Sequence, residues 1–243
     1  MDNFRPHVTS NQAHSAWERL ESYLKEERPL RPIRQIVVNG SVDVVFRRSD
    51  TPALIVAGET AEAIASVKTC FNGRKFVIEQ EGVVINVAAG GNVVLHNLVS
   101  GSVMISNRIV NGESKGINIT QGAVIVGVAL PEAPAIKIKG SSNVTLLDLQ
   151  QANLELEIEG SGDITASGQV AHLEAEVAGS GDVDASELIA DSASLSVSGS
   201  GDIEAFIRSE VRARVAGSGD ILVRGNPPRR DHRVAGAGTI KFR

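Results

Sequence analysis

The chain has 243 residues, 42% of them apolar and only 3% aromatic, with 24 Lys and Arg against 29 Asp and Glu for a formal net charge of -5. The apolar share excludes a disordered chain, and a core so poor in aromatics must be filled by Val, Ile, Leu and Ala, which suits a narrow β-solenoid. The mean charge hides a split: residues 140–220 carry fifteen acidic residues against three Arg, a local net of about -12, whereas from Ile221 onward six Lys or Arg face Asp231 alone. An acidic shaft repels phosphate, so nucleic acid is disfavoured as a partner.

Cys70 is the sole cysteine, which rules out an intrachain disulfide or a cysteine zinc cluster. No run approaches the roughly 18 apolar residues of a membrane span, so no membrane span is expected. The first residues lack the apolar core of a signal peptide, and the default expectation is a cytoplasmic protein.

Residues 1–30 are expected to form a helical segment. Thr9, Ser10 or Asn11 can cap a helix, and Ala13, Trp17, Leu20 and Leu24 then fall on one face. The helix should end near Glu27, before Pro29 and Pro32. It is expected to cover the open end of a solenoid. Alternatively Trp17, Leu20 and Leu24 form an oligomer contact.

Residues 31–131 read as an irregular β half. Strand patterns occur at Ile36–Val38, Val42–Phe46 and Ala53–Val56, and Thr60 can then cap a short helix carrying Ile64 and Val67. Asn72-Gly73 between Val67–Phe71 and Arg74–Ile78 predicts a hairpin with a type I′ turn. Val83–Val87, Val93–Leu98, Val103–Ile105, Ile117–Ile119 and Val124–Val128 read as solenoid strands without a fixed period. Asn92, His96, Asn97, Asn107 and Asn111 make the stretch from Gly82 to Gly127 the favoured region for a groove, although asparagine also ladders at β-helix turns.

Residues 132–243 are regular. Gly-Ser-Gly-Asp starts at Gly160, Gly179, Gly199 and Gly217, at spacings of 19, 20 and 18, with worn copies at Gly140 and Gly236. A period of this length is the mark of a stacked repeat. After each motif an alternating strand begins with Val144, Ile164, Val183, Ile203, Ile221 or Ile240. A second one precedes each motif, as in Leu154-Leu156-Ile158 and Leu173-Ala175-Val177. Leu149, Val170, Leu188 and Ile207 are expected on a third, looser side. Burial is spread over rungs at about 1.5–3 kcal/mol per larger aliphatic side chain, so no rung folds alone.

The motif itself reads as a corner. The glycine pairs Gly160 and Gly162, Gly179 and Gly181, Gly199 and Gly201, and Gly217 and Gly219 supply positive φ and avoid a collision with the next rung, about 4.8 Å away. Ser and Asp are expected to satisfy local turn amides. The alternative is a cation ladder on Asp163, Asp182, Asp202 and Asp220. One Asp per coil offers too few oxygens for a six-to-eight-coordinate calcium site, and no metal or other cofactor is assigned.

The run from Ile33 to Phe46, then the short helix and hairpin, then the iterated Gly-Ser-Gly-Asp, resembles the head GIN domain family of putative autotransporter adhesins over about residues 33–243. The resemblance implies a right-handed parallel β-helix, an all-β fold, here with a short N-terminal amphipathic α-helix. It also implies a role in adhesion, no recognised catalytic constellation, and a bacterial protein of a family usually exported or envelope-associated.

Catalysis on a β-helix needs clustered carboxylates or a base beside a cleft. Glu155, Glu157, Glu159, Glu174 and Glu176 share an outward face, but the matching columns continue as Ser194 and Ser196, then Arg212 and Arg214. Acidic, neutral and basic bands of this kind read as a solvated face whose charges pair across rungs. The histidines His7, His14, His96, His172 and His232 lack metal-site spacing, and no serine-nucleophile elbow occurs. The stretch Asn226–Arg233 reads as a surface loop. The expectation is a non-enzymatic, adhesin-like interaction module, forming a homo-oligomer and binding a protein or glycan. A self-assembling intracellular scaffold and a carbohydrate-active enzyme are the alternatives.

Overall fold

The computed structural model describes residues 17, 20, 22–80, 83–87, 91–95, 117–119 and 123–243. The chain is mostly β-strand and winds into a solenoid of about five turns. Two strand faces enclose the core. The pre-corner face stacks β6 (Lys75–Gln80), β2 (Gln35–Gly40), β11 (Ala135–Gly140), the later parts of β12 (Asn143–Gly160), β13 (Asp163–Gly179), β14 (Val183–Gly199) and β15 (Ile203–Gly217), and finally β17 (Arg229–Gly236). The post-corner face stacks β10 (Val124–Leu130), β3 (Asp43–Arg48), the first parts of β12 to β15, then β16 (Ile221–Arg224) and β18 (Ile240–Phe242). All neighbours within these two stacks are parallel.

Alternation fills the interior as expected. Ile36, Ile136, Leu156, Ala175, Leu195 and Ala213 form one inward column, and Val44, Val144, Ile164, Val183, Ile203 and Ile221 another, all buried in one continuous cluster. Leu149, Val170, Leu188 and Ile207 are buried on the third side. Register shifts near Leu146 to Leu149, Thr165 to Ser167 and Ala185 to Ile189 place insertions and deletions there. The unequal repeat spacing is absorbed at that second corner, so the Gly-Ser-Gly-Asp corner stays in register.

The winding order departs from the chain order. The rung made by β2 and β3 lies between β11 and β12 on one side and β6 and β10 on the other, although β6 and β10 come later in sequence. Residues 81–123 therefore connect β6 to β10 where other rungs have a tight corner. Beyond this rung, β4 (Ala53–Gly58) runs antiparallel to β10, and β5 (Val67–Asn72) antiparallel to β6. The helix α1 (Ala61–Ser66) joins these two strands, with Thr60 accepting the Ala63 amide at its N-cap and Ala63 and Ile64 buried in the core. This antiparallel rung closes the solenoid's N-terminal end.

Residues 1–30 are expected to share that role as a helix, and the structure corrects the helical reading in part. Trp17, Leu20 and Ser22 are helical, but Leu24–Glu27 is a strand, β1, paired antiparallel with β4. Leu20 is buried against Val45, Ala57, Ile125 and Leu147, with Trp17 and Tyr23 beside it. These partners point outward from the post-corner face, so Leu20 covers a side of the solenoid, while β1 adds the outermost strand beyond β4 at its N-terminal end. Leu24 is 56% exposed. Backbone pairing with β4 overrode helical periodicity there.

Three further expectations change. In the hairpin Asn72 pairs with Lys75, so the two loop residues are Gly73 and Arg74, and of these only Gly73 has a positive φ, +62°; the turn is therefore neither centred on Asn-Gly nor of type I′, which needs positive φ at both loop residues. β7 (Val83–Val87), β8 (Gly91–Leu95) and β9 (Ile117–Ile119) form a separate antiparallel sheet instead of solenoid strands. Asn92 lies on β8, whereas Val103–Ile105, His96, Asn97, Asn107 and Asn111 lie outside the described residues. The stretch read as a surface loop contains β17, the pre-corner strand of the last rung.

Candidate functional site

The corner divides its labour by position. Gly199 sits at φ +140°, which a side chain rarely adopts. Gly201 is needed for space: a Cβ there would lie 2.0 Å from the Gly181 carbonyl oxygen and 2.8 Å from Val177 Cγ1. The Gly199 carbonyl accepts the amides of Ser218 at 2.8 Å and Gly219 at 3.1 Å from the next rung, and the same pair recurs at Gly160, Gly179 and Gly217.

The aspartates form a column that runs Asp43, Asn143, Asp163, Asp182, Asp202, Asp220, Thr239. Their bonds differ from the local turn bonds expected. Asp163 Oδ1 accepts the Asp182 amide at 3.0 Å, Asp182 Oδ1 the Asp202 amide at 2.9 Å, and Asp202 Oδ1 the Asp220 amide at 2.7 Å. Asp220 Oδ1 receives both the amide and the hydroxyl of Thr239, and Asn143 Nδ2 donates to Asp43 Oδ1 at 3.0 Å. Each side chain ties its rung to the next. Burial pushes the Asp202 carboxyl above the ordinary carboxylate range, the Asp220 amide opposes this, and the neighbouring Asp182 and Asp220 charges add to it. Among the described residues, no three His, Cys, Asp or Glu side chains are placed to hold a metal ion.

The outward side of the pre-corner face carries charge in bands. Lys137 and Lys139 on β11 stand beside Glu155, Glu157 and Glu159 on β12, then Glu174 and Glu176 on β13, Ser194 and Ser196 on β14, Arg212 and Arg214 on β15, and Asp231 and Arg233 on β17. Lys137 Nζ donates to Glu157 and Glu159, both at 2.7 Å, and Lys139 pairs with Glu159 at 3.1 Å. Hydrogen bonds from the two lysines hold the Glu159 carboxyl below its ordinary range, and those to the two glutamates raise Lys137. Asp231 meets Arg212 at 3.3 Å and Arg214 at 3.4 Å. The expected cross-rung pairing is thus present at both ends of the face.

The outward side of the post-corner face changes character along the stack. Val45, Ile125 and Leu147 lie under Leu20, and the Val45 column continues as Thr145, Thr165, Asp184 and Glu204. Glu204 is buried and hydrogen-bonded to Arg224. Sequence reading missed the apolar patch under Leu20. The signal was present in the unbroken apolar runs Val44-Val45-Phe46 and Val124-Ile125-Val126, because strands covered on both faces lose their alternation.

The last rung puts polar residues where others put core. Arg230 continues the column Leu154, Leu173, Ala193, Val211, and His232 the column Leu156, Ala175, Leu195, Ala213. Arg230 lies 4.5 Å over the Phe242 ring, and His232 meets the same ring edge-on at 5.4 Å. A cation at an inward position marks the end of a sheet stack that is not to be extended by hydrophobic addition. His172 Nδ1 is 2.9 Å from Ser192 Oγ, and Cys70 is exposed. Among the described residues, no helix is long and apolar enough to cross a membrane.

Comparison with solved structures gives the same fold at low identity. A putative adhesin from Bacteroides fragilis NCTC 9343 superposes with a TM-score of 0.59 at 16% identity, covering 90% of this chain and 96% of that one. A putative adhesin from Parabacteroides distasonis ATCC 8503 gives 0.50 at 17% identity, covering 90% and 96%. A search of curated proteins found no match. The model of one family matches residues 33–227, from the first solenoid strand to the loop before the last rung, and the chain belongs to that family, described as putative auto-transporter adhesin, head GIN domain.

Proposed function

We propose that the chain is a non-enzymatic, adhesin-like interaction module that engages a protein or glycan through the polar part of its post-corner face. The observation that carries this reading is the column Thr145, Thr165, Asp184 beside the Asp163 and Asp182 corner. Parallel stacking sets these short hydrogen-bonding side chains about 4.8 Å apart on a rigid flat sheet, a spacing suited to an extended polymer lying across the rungs. Family membership and the adhesin-like fold relatives support the role. Against catalysis, the clustered carboxylates Glu157 and Glu159 are engaged by lysines.

The test is a glycan array and a panel of extracellular proteins probed with the full chain, with reducing-end release measured on every glycan that binds. Binding without cleavage, weakened at least tenfold by Thr165→Lys with Asp184→Lys, is the expected result. Glycan cleavage would make the chain a carbohydrate-active enzyme, and binding indifferent to both substitutions would move the ligand off this face.

A further inference from the structure

We infer that the pre-corner face is a self-association surface, on which two copies of this chain pack face to face about a two-fold axis. The axis runs parallel to the strands along the serine row of β14. The inference stands apart from the ligand-binding reading because it uses the other strand face.

The charge pattern selects this geometry. Rungs are evenly spaced at about 4.8 Å, so a two-fold axis along β14 sets β13 of one copy against β15 of the other, and β12 against β17. Residues keep their columns. Glu174 and Arg212 share one column with Ser194, and Glu176 and Arg214 share the next with Ser196. Each copy's Glu174 then faces Arg212 of the second copy, Glu176 faces Arg214, and Glu157 faces Arg233. At the axis Ser194 and Ser196 meet their own copies, and these small side chains let the sheets approach closely. A two-fold axis along the stack would instead set acidic bands on acidic bands. Like-charge juxtaposition opposes that arrangement.

The groups involved are available. Glu155, Glu174 and Glu176 on the acidic side and Arg233 on the basic side take part in no ion pair among the described residues. Arg212 and Arg214 share the single Asp231 carboxylate, which leaves them net positive. One contact is unfavourable: Glu155 faces Asp231, where Arg212 and Arg214 already neutralise the latter. Five rungs of about eight residues give a patch of about 600 Å² per copy, at the low end of specific interfaces. The predicted dimer is therefore weak and salt-sensitive.

The experiment is sedimentation equilibrium of the full chain at about 50 mM and about 500 mM salt, where screening lengths differ roughly threefold. A dimer is expected at low salt, with at least tenfold weaker association at high salt. Arg212→Glu with Arg214→Glu gives an acidic face, and Glu174→Arg with Glu176→Arg a basic one. Each variant alone is expected to be monomeric with an unfolding midpoint near that of the native chain, and the equimolar mixture to form a heterodimer. A native chain that stays monomeric at low salt overturns the inference. So do variants that self-associate like the native chain, or folded variants that fail to pair on mixing. Because these substitutions leave Thr165 and Asp184 untouched, ligand binding by the post-corner face is read independently.

Discussion

The backbone amide of Asp202 donates to Asp182 Oδ1 at 2.9 Å, one rung away, while Asp202 Oδ1 accepts the Asp220 amide at 2.7 Å on the other side. The motif aspartate is therefore both acceptor and donor in a ladder running along the solenoid axis. Asp202→Ala strands the Asp220 amide and should cost about 1–3 kcal/mol of unfolding free energy. Urea unfolding followed by circular dichroism measures it, and a neutral outcome would show that water replaces the carboxylate.

The same column predicts a pH dependence. Burial and the flanking Asp182 and Asp220 charges raise the Asp202 carboxyl in the folded state above its value in the unfolded chain. The folded state then binds more protons across that window, so this group's contribution is unfavourable at neutral pH and is relieved as pH falls below the ordinary carboxylate range. Asn keeps a side-chain carbonyl oxygen that can accept the same amide without carrying a charge. Asp202→Asn should therefore raise the urea midpoint at pH 7 relative to the native chain, with the difference closing towards pH 3.

Glycine substitutions separate space from backbone conformation. Gly201→Ala places a methyl 2.0 Å from the Gly181 carbonyl oxygen, and forcing two rungs apart should cost about 3 kcal/mol. Gly73→Ala meets nothing within 4 Å and strains only a φ of +62°, at about 1 kcal/mol. Thermal midpoints of the two variants should rank in that order.

Leu20 is the anchor of the N-terminal segment. Leu20→Ala removes the side chain buried against Val45, Ala57, Ile125 and Leu147, and should cost about 2–4 kcal/mol if the segment unfolds together with the solenoid. Leu24→Ala, at an exposed position of β1, should stay within about 0.5 kcal/mol. Trp17 is the single tryptophan, so a red shift of its emission in Leu20→Ala reports release of the segment directly.

Arg224→Ala leaves the buried Glu204 carboxylate without its guanidinium partner. Because Arg224 is 41% exposed, water can reach part of the site, and the expected cost is about 1–3 kcal/mol. Glu204→Gln combined with Arg224→Ala should recover part of that loss in a double-mutant cycle.

Much of the solenoid was legible in the residues. The inward columns from Val144 to Ile240 and the banded outward columns from Glu155 to Arg214 appear once the glycines are aligned, because parallel in-register stacking repeats one pattern at each rung. The Thr60 cap and the hairpin of β5 and β6 were also readable, being local. The β7 to β9 sheet was not, since short Val-rich runs look alike in parallel and antiparallel settings. The candidate binding column Thr145, Thr165, Asp184 was hidden as well, because polar outward residues carry no periodic apolar signal.

By itself the sequence determined the repeat, the tight corner and the sign of charge at each rung, since these depend on spacing, on glycine's missing Cβ and on side-chain alternation. Only the tertiary structure decided that the rung of β6 and β10 lies beneath that of β2 and β3, that Leu20 covers a side and not an end, and that each aspartate bonds the next rung. Those are contacts between residues far apart in sequence or between successive coils, and burial of apolar surface in three dimensions, with no local pattern to announce it, selects them.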